Sequence, residues 1–159
     1  GKLEANAEKF DHQIIGIDPG AGIMHLTQKA VKDYQIGNMA LVSGSGAAMT
    51  DVLGEKIKNR QWVVVTGWTP HWMFARWDLT YLKDPMGVYG GSESIHTVVR
   101  KDLEKDKPGL YRFLDNFHWQ IEDIHQVMEM IQKTGKPYQS AVKWVRQNPD
   151  KVKAWLSGQ

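Results

Sequence analysis

Between His12 and Thr66, short β-rich apolar runs each end in a tight loop, and helical stretches lie between them. This alternation narrows the fold more than any other feature. His12 to Ile17 runs into Asp18-Pro19-Gly20-Ala21-Gly22, and a helix is expected from Ile23 to Tyr34, with Ile23, Leu26, Ala30 and Tyr34 on one face. Met39 to Val42 leads into Ser43-Gly44-Ser45-Gly46, where a serine suits the N-cap of a helix over Ala47 to Lys58. Trp62 to Thr66 reads as a third, buried strand, with Trp62 in the core. Strands alternating with helices through short loops call for a partly parallel sheet.

The second half changes character. Leu79 to Leu82 and Ile95 to Val99 read as strands, separated by the turn-rich Asp84-Pro85-Met86-Gly87 and Gly90-Gly91. From Lys107 onward the pattern is helical. Pro108 suits a first turn, and Leu110, Phe113, Leu114 and Phe117 mark an apolar face. A longer helix is expected from Ile121 to Lys133, with Ile124, Val127, Met128 and Ile131 inward and Gly135 closing it. Pro137 to Gln147 and Pro149 to Leu156 each carry a tryptophan on an apolar stripe, so Trp144 and Trp155 are assigned to core. No repeat, low-complexity tract or linker is apparent.

The chain's chemistry concentrates just past the third strand, in Gly67-Trp68-Thr69-Pro70-His71-Trp72-Met73-Phe74. Open α/β sheets place their ligands outside the carboxyl ends of their strands. Indoles offer the strongest aromatic face to a cation, and a quaternary ammonium has no N–H through which to be bound otherwise. Trp119, in the sequence Phe117-His118-Trp119 at a junction of two helices, is a second indole placed to project into a concavity. Trp68 alone favours core packing, whereas for Trp72 and Trp119 core and ligand-facing roles stand level. Trp77 suits a helix end.

Composition supports a binder more than a catalyst. Seven tryptophans in 159 residues are several times the expected number, and a net charge of +2 gives no reason to expect nucleic acid or an anionic membrane surface. Cysteine is absent, which removes disulfides, thiolate catalysis and cysteine-held metals. No apolar run approaches the roughly 20 residues of a membrane span. The opening stretch, Gly1 to Asn6, has no signal-peptide apolar region, so the chain either never carried a leader or is a processed or excised piece.

Other motifs have plainer readings. Gly16 to Gly22 lacks the lysine of a P-loop and the spacing of a dinucleotide fingerprint. Ser43 to Gly46 is out of register for a nucleophile elbow and suits a helix cap, though its backbone N–H groups would also suit an anionic group. The histidines form no His-x-x-x-His pair, so no metal site is expected, and Asp18, Asp78 and Asp84 read as turn and cap residues. No catalytic constellation stands out, and no cofactor is called for.

Several motifs occur together in order: Gly16-Ile-Asp-Pro-Gly-Ala-Gly-Ile-Met24, Ser43-Gly-Ser-Gly-Ala-Ala-Met49, Gly67 to Phe74, Leu82-Lys-Asp-Pro85, Ile95-His-Thr-Val-Val-Arg-Lys101 and Leu114-Asp-Asn-Phe-His-Trp119. From about residue 10 to the end, the chain resembles the glycine betaine-binding proteins of osmoprotectant ABC importers. The resemblance implies an α/β, periplasmic-binding-protein-like type II lobe, with a mixed, mostly parallel sheet flanked by helices. The chain is expected to form a single substrate-binding lobe, partial relative to a two-lobe family. Trp72 and Trp119 align with two walls of that family's aromatic cage. The third wall and the backbone amides for the ligand carboxylate belong to a second lobe, from the full-length protein or another chain.

The implied partners are a quaternary ammonium ligand and an ABC permease, with no nucleic acid, at an extracytoplasmic location. His71 is expected either to donate to a ligand carboxylate, to orient an indole, or to bond a backbone carbonyl. Trp68 is expected to buttress Trp72, and His125 is a weaker ligand candidate because its spacing from Trp119 does not guarantee a shared face. Carnitine, choline or proline betaine are alternative ligands. A ligand-sensing domain of a membrane receptor is an alternative role, and an enzyme stands third.

Overall fold

Parallel pairing of the strands organises the first part of the chain. In this computed structural model, which describes residues 3–91 and 94–157, strand β1 (Gln13–Ile15) pairs with β2 (Ala40–Val42), Ile14 opposite Leu41. On the other side of β1, Ile15 forms a parallel bridge with Val65. There Ile15 N–H donates to Val64 O at 3.0 Å and Thr66 N–H to Ile15 O at 2.9 Å. The three runs therefore lie side by side with β1 in the middle, and their carboxyl ends share one edge. Loops 17–21 and 43–45 leave from that edge, as does the segment that begins at Gly67.

Between the strands run α1 (Gly22–Asp33) and α2 (Gly46–Lys58). Ser45 caps α2, its hydroxyl accepting the Ala48 N–H at 3.1 Å, as its position before the helix leads one to expect. Asp18 accepts the Gly20 N–H at 2.8 Å, which closes the turn into α1. Gly16 has a steric reason to be glycine: a Cβ there would lie 2.4 Å from Sδ of Met24, a residue only 1% exposed. Met24 thus closes down on the strand end. The buried stripe of α1 is Met24, Thr27 and Ala30; Ala30 is on the expected face, Met24 and Thr27 are buried in place of Ile23 and Leu26, and Leu26 is exposed. Thr27 tolerates burial because its hydroxyl donates to Ile23 O and meets the Tyr89 hydroxyl.

The chain gathers into two compact units, one of Gly1–Trp68 with Tyr81–Ser92, the other of Thr69–Thr80 with Glu93–Gln159. The first unit centres on Ala7, Ile14 and Met39, with Phe10, Val31, Leu41 and Val64 packed around them. Asp84 ties its later segment down, accepting the N–H groups of Val88 and Tyr89 and the Tyr34 hydroxyl. Trp62 is half exposed rather than core, with Phe10 edge-on at 5.4 Å and the Lys9 ammonium 4.6 Å from its centroid. The run pairs with β1 only from Val64 onward, so Trp62 lies before the sheet begins.

The second unit is helical: α3 (Met73–Arg76), α4 (Leu103–Asp106), α5 (Pro108–Asn116), α6 (Ile121–Thr134), α7 (Pro137–Gln147) and α8 (Pro149–Leu156). Gly135 ends α6 in the left-handed conformation, φ 65°, donating its N–H to Ile131 O. Trp144 and Trp155 are buried as expected, whereas Leu110 remains exposed and helix begins earlier than Lys107, with α4. The strands expected at Leu79 to Leu82 and Ile95 to Val99 do not form. Neither run is paired with another strand among the described residues, and Leu82, Ile95 and Val98 are exposed. Among the described residues, no helix is long and apolar enough to cross a membrane.

Leu53 of α2 is 1% exposed, and its truncation leaves a hole that the surrounding packing cannot fully close. Leu53→Ala is expected to cost about 2–5 kcal/mol. Urea denaturation would read this as a lower midpoint with an unchanged m-value.

Candidate functional site

Local geometry around Trp72 starts with a helix one turn long. His71 is buried, and its Nδ1 accepts the N–H of Met73, the first residue of α3, at 3.2 Å. This assigns the ring proton to Nε2, and Nδ1 serves a backbone donor. Met73, 1% exposed, anchors the turn, and the Trp72 ring rises half-buried beside His71 at 5.5 Å. Trp77, which ends α3, lies 5.5 Å from Trp72 on the other flank. The Arg76 guanidinium sits 5.8 Å from the Trp72 centroid and 5.0 Å from that of Trp77. A cation therefore already lies against these ring faces, as the indole quadrupole favours. The i, i+4 spacing of Trp72 and Arg76 was a legible signal for this contact.

α3 packs on α6. Phe74 stacks on His125, centroids 5.9 Å apart and planes 19° apart, which fastens the Trp72 turn to the helix that follows Trp119. His125 Nε2 is shut off from solvent with no hydrogen-bond partner. Burial first, and then the positive potential of His125, push the His71 pKa below its ordinary value. His71 is accordingly neutral at pH 7, in keeping with its role as an acceptor.

Trp119 lies in the short connection between α5 and α6 and is half-buried. Behind it stand Trp144 at 4.7 Å, Trp155 at 5.4 Å and Phe117, edge-on, at 5.8 Å. The connection is pinned by the Trp155 indole N–H donating to His118 O at 3.0 Å. Trp72, His71 and Trp119 thus belong to the second unit, Trp72 and His71 in contact and Trp119 in its own ring cluster. Trp68 belongs to the first unit and is partly exposed, just past the Val64–Thr66 pairing. A concavity of about 300 Å³ along α7, lined by residues such as Tyr138, Val142 and Arg146, includes none of these indoles. Among the described residues, no cluster of histidines and carboxylates suits a metal.

With this geometry in place, the comparisons are decisive for the family. Residues 2–147 match the family described as the substrate binding domain of ABC-type glycine betaine transport systems. The chain belongs to that family. It is 50% identical over 153 residues to the glycine betaine/carnitine transport binding protein GbuC of Listeria monocytogenes, covering 95% of this chain and 51% of GbuC. Among solved structures it is similar to lactococcal OpuAC, closed on glycine betaine, with a TM-score of 0.75 and 42% identity over 92% of this chain and 58% of that one. A choline-binding protein of an ABC transporter, in complex with choline, gives a TM-score of 0.73 and 29% identity over 99% of this chain and 56% of that one. The chain spans about half the length of the relatives it matches. The structural neighbours are type II periplasmic binding proteins, and the fold is α/β with a small parallel sheet and many helices, as the sequence resemblance implied.

The lowered His71 pKa carries a stability consequence. Between the folded value and the unfolded value of about 6.5, the unfolded chain binds more protons, so stability rises with pH in that window. The contribution is fully present above about pH 6.5 and is lost as pH falls through the folded value. His71→Asn, whose side-chain oxygen can replace Nδ1 as acceptor, should melt with a smaller loss of Tm between pH 7 and 5 than the parent. Parallel melts of the two proteins across that range check it, and equal slopes would count against His71.

Proposed function

We propose that this chain is part of the substrate-binding component of an ABC importer. It would hold glycine betaine, or a related quaternary ammonium osmolyte, against Trp72 and Trp119 and deliver it to a permease from an extracytoplasmic position. Family membership over residues 2–147, combined with two half-buried indoles in one unit, is the observation that carries this reading. A trimethylammonium spreads its charge over methyl groups, so it needs a surface that is both apolar and electron-rich, and indole faces provide both. The ligand carboxylate needs donors instead. His71, whose proton sits on Nε2 because Nδ1 accepts from Met73 N–H, has the chemistry to supply one, and His125 is the weaker candidate.

The expected ligand is a zwitterion, as the similarity to the Listeria and lactococcal proteins supports. The similarity to a choline-bound protein supports a second reading, in which the ligand lacks a carboxylate. Competition calorimetry with glycine betaine, carnitine and choline on the full-length protein separates the two. Trp72→Ala and Trp119→Ala should each weaken glycine betaine binding by up to about 30-fold, with far-UV circular dichroism unchanged. Retained affinity in either variant would remove that indole from the cage.

Two rings contribute about 1–4 kcal/mol gross, while a Kd of 1 μM requires about 8 kcal/mol. The remainder would come from residues outside this chain, a second lobe closing over the ligand. Titration of the isolated 159-residue chain with glycine betaine should therefore show no binding in the micromolar range. A micromolar Kd would reject the need for a partner lobe.

A further inference from the structure

We infer that helix α8, through Trp155 and Lys151, sets the position of the Trp119 indole and thereby tunes ligand affinity, without touching ligand itself. The inference rests on the reading of Trp119 as a ligand wall. Three contacts run from α8 and the residue after it to the connection that carries Trp119 and to the helix ends on either side of it. Asn116, at the end of α5, donates its amide to Ser157 O at 2.9 Å. Trp155 donates its indole N–H to His118 O at 3.0 Å, one residue before Trp119. Lys151 reaches both carboxylate oxygens of Asp123, at 2.5 and 2.6 Å, in the first turn of α6.

The rings add a second layer. Trp155 packs against Trp119 at 5.4 Å and against Phe117 at 4.6 Å, and stacks on Trp144, which itself lies 4.7 Å from Trp119. The Lys151 ammonium stands 5.9 Å from the Trp144 centroid while it grips Asp123, a carboxylate only 5% exposed. A paired, buried carboxylate and a directed indole N–H are geometric constraints more than sources of stability. Both act on the backbone that aims Trp119. A cation–π wall displaced by a fraction of its ring width loses much of its attraction, so tethers of this kind are read out in affinity.

Trp155→Phe keeps an aromatic ring and removes the N–H to His118. In the full-length protein, Kd for glycine betaine by calorimetry is expected to rise about tenfold, at a temperature where circular dichroism shows the variant folded. The Trp119 indole NMR signal should move in the unliganded variant, while that of Trp72 stays. Asp123→Asn, which cuts the tie to Lys151 at nearly constant shape, should weaken binding in the same direction and covers the case in which Trp155→Phe does not fold. Leu53→Ala, destabilising but in the other unit, should leave Kd unchanged and so excludes a general stability effect. Parent-like Kd in the folded variants overturns the role of α8. Failure of the parent protein to bind glycine betaine would instead overturn the ligand reading and, with it, this inference.

Discussion

An indole held half-open to water has a strong tendency to bury its free face, and the second unit depends on preventing that. It does so by wedging. Behind Trp119 stand two further indoles and a phenyl ring, at centroid distances between 4.7 and 5.8 Å, so the ring is backed by rigid aromatic surface. Aromatic pairs of this kind add about 0.5–1.5 kcal/mol each beyond their buried area, which makes the arrangement difficult to relax. Trp72 is wedged differently, between His71 and Trp77 on a single helical turn whose anchor is Met73. The tryptophan-rich composition follows from this demand, since presenting a few indoles requires others to brace them.

The same demand decides where polar groups go. Trp155 spends its N–H on His118 O and His71 spends Nδ1 on Met73, so each buried ring also fixes a backbone turn. Trp144 and His125 keep a buried nitrogen without a hydrogen-bond partner. Such a group costs about 1–3 kcal/mol when left unmade. For Trp144, deep in the ring cluster, that cost is the consequence of filling the core with indoles. For His125, stacked on Phe74, it comes with packing the ring between α6 and the Trp72 turn.

Legibility in the sequence tracked how local the determinants were. Helices α7 and α8 start at prolines and end where their apolar stripes end, Gly135 stops α6, and Ser45 caps α2; all are written within a few residues of where they act. Two strand assignments failed for want of a partner, while those that form β1, β2 and the Val65 bridge held. Ile95 to Val99 has the composition of a strand, but β-propensity only reports fitness for a pleated surface, and nothing among the described residues offers that surface. On α1, Ala30 was read correctly, but Met24 is buried rather than Ile23 because Gly16 leaves room for it, a contact between strand and helix that periodicity does not encode. At the site, Trp72 and Trp119 stood out through composition and loop position. The bracing by Trp144 and Trp155 was legible only as "core", because a stripe does not say what the core supports.

That division has a consequence for how the family's chemistry distributes along this chain. Residues that brace can be buried within one unit. Residues that bind must remain half-open, and their energy is small until water is excluded from the other face. A chain that spans about half the length of its relatives can therefore hold complete bracing while holding only part of the binding energy. Specificity separates along the same line. Under the proposed reading, the indoles would attract any methylated ammonium and would not by themselves tell betaine from choline. On that same reading, discrimination would come from donors to the carboxylate, most of them on a second lobe.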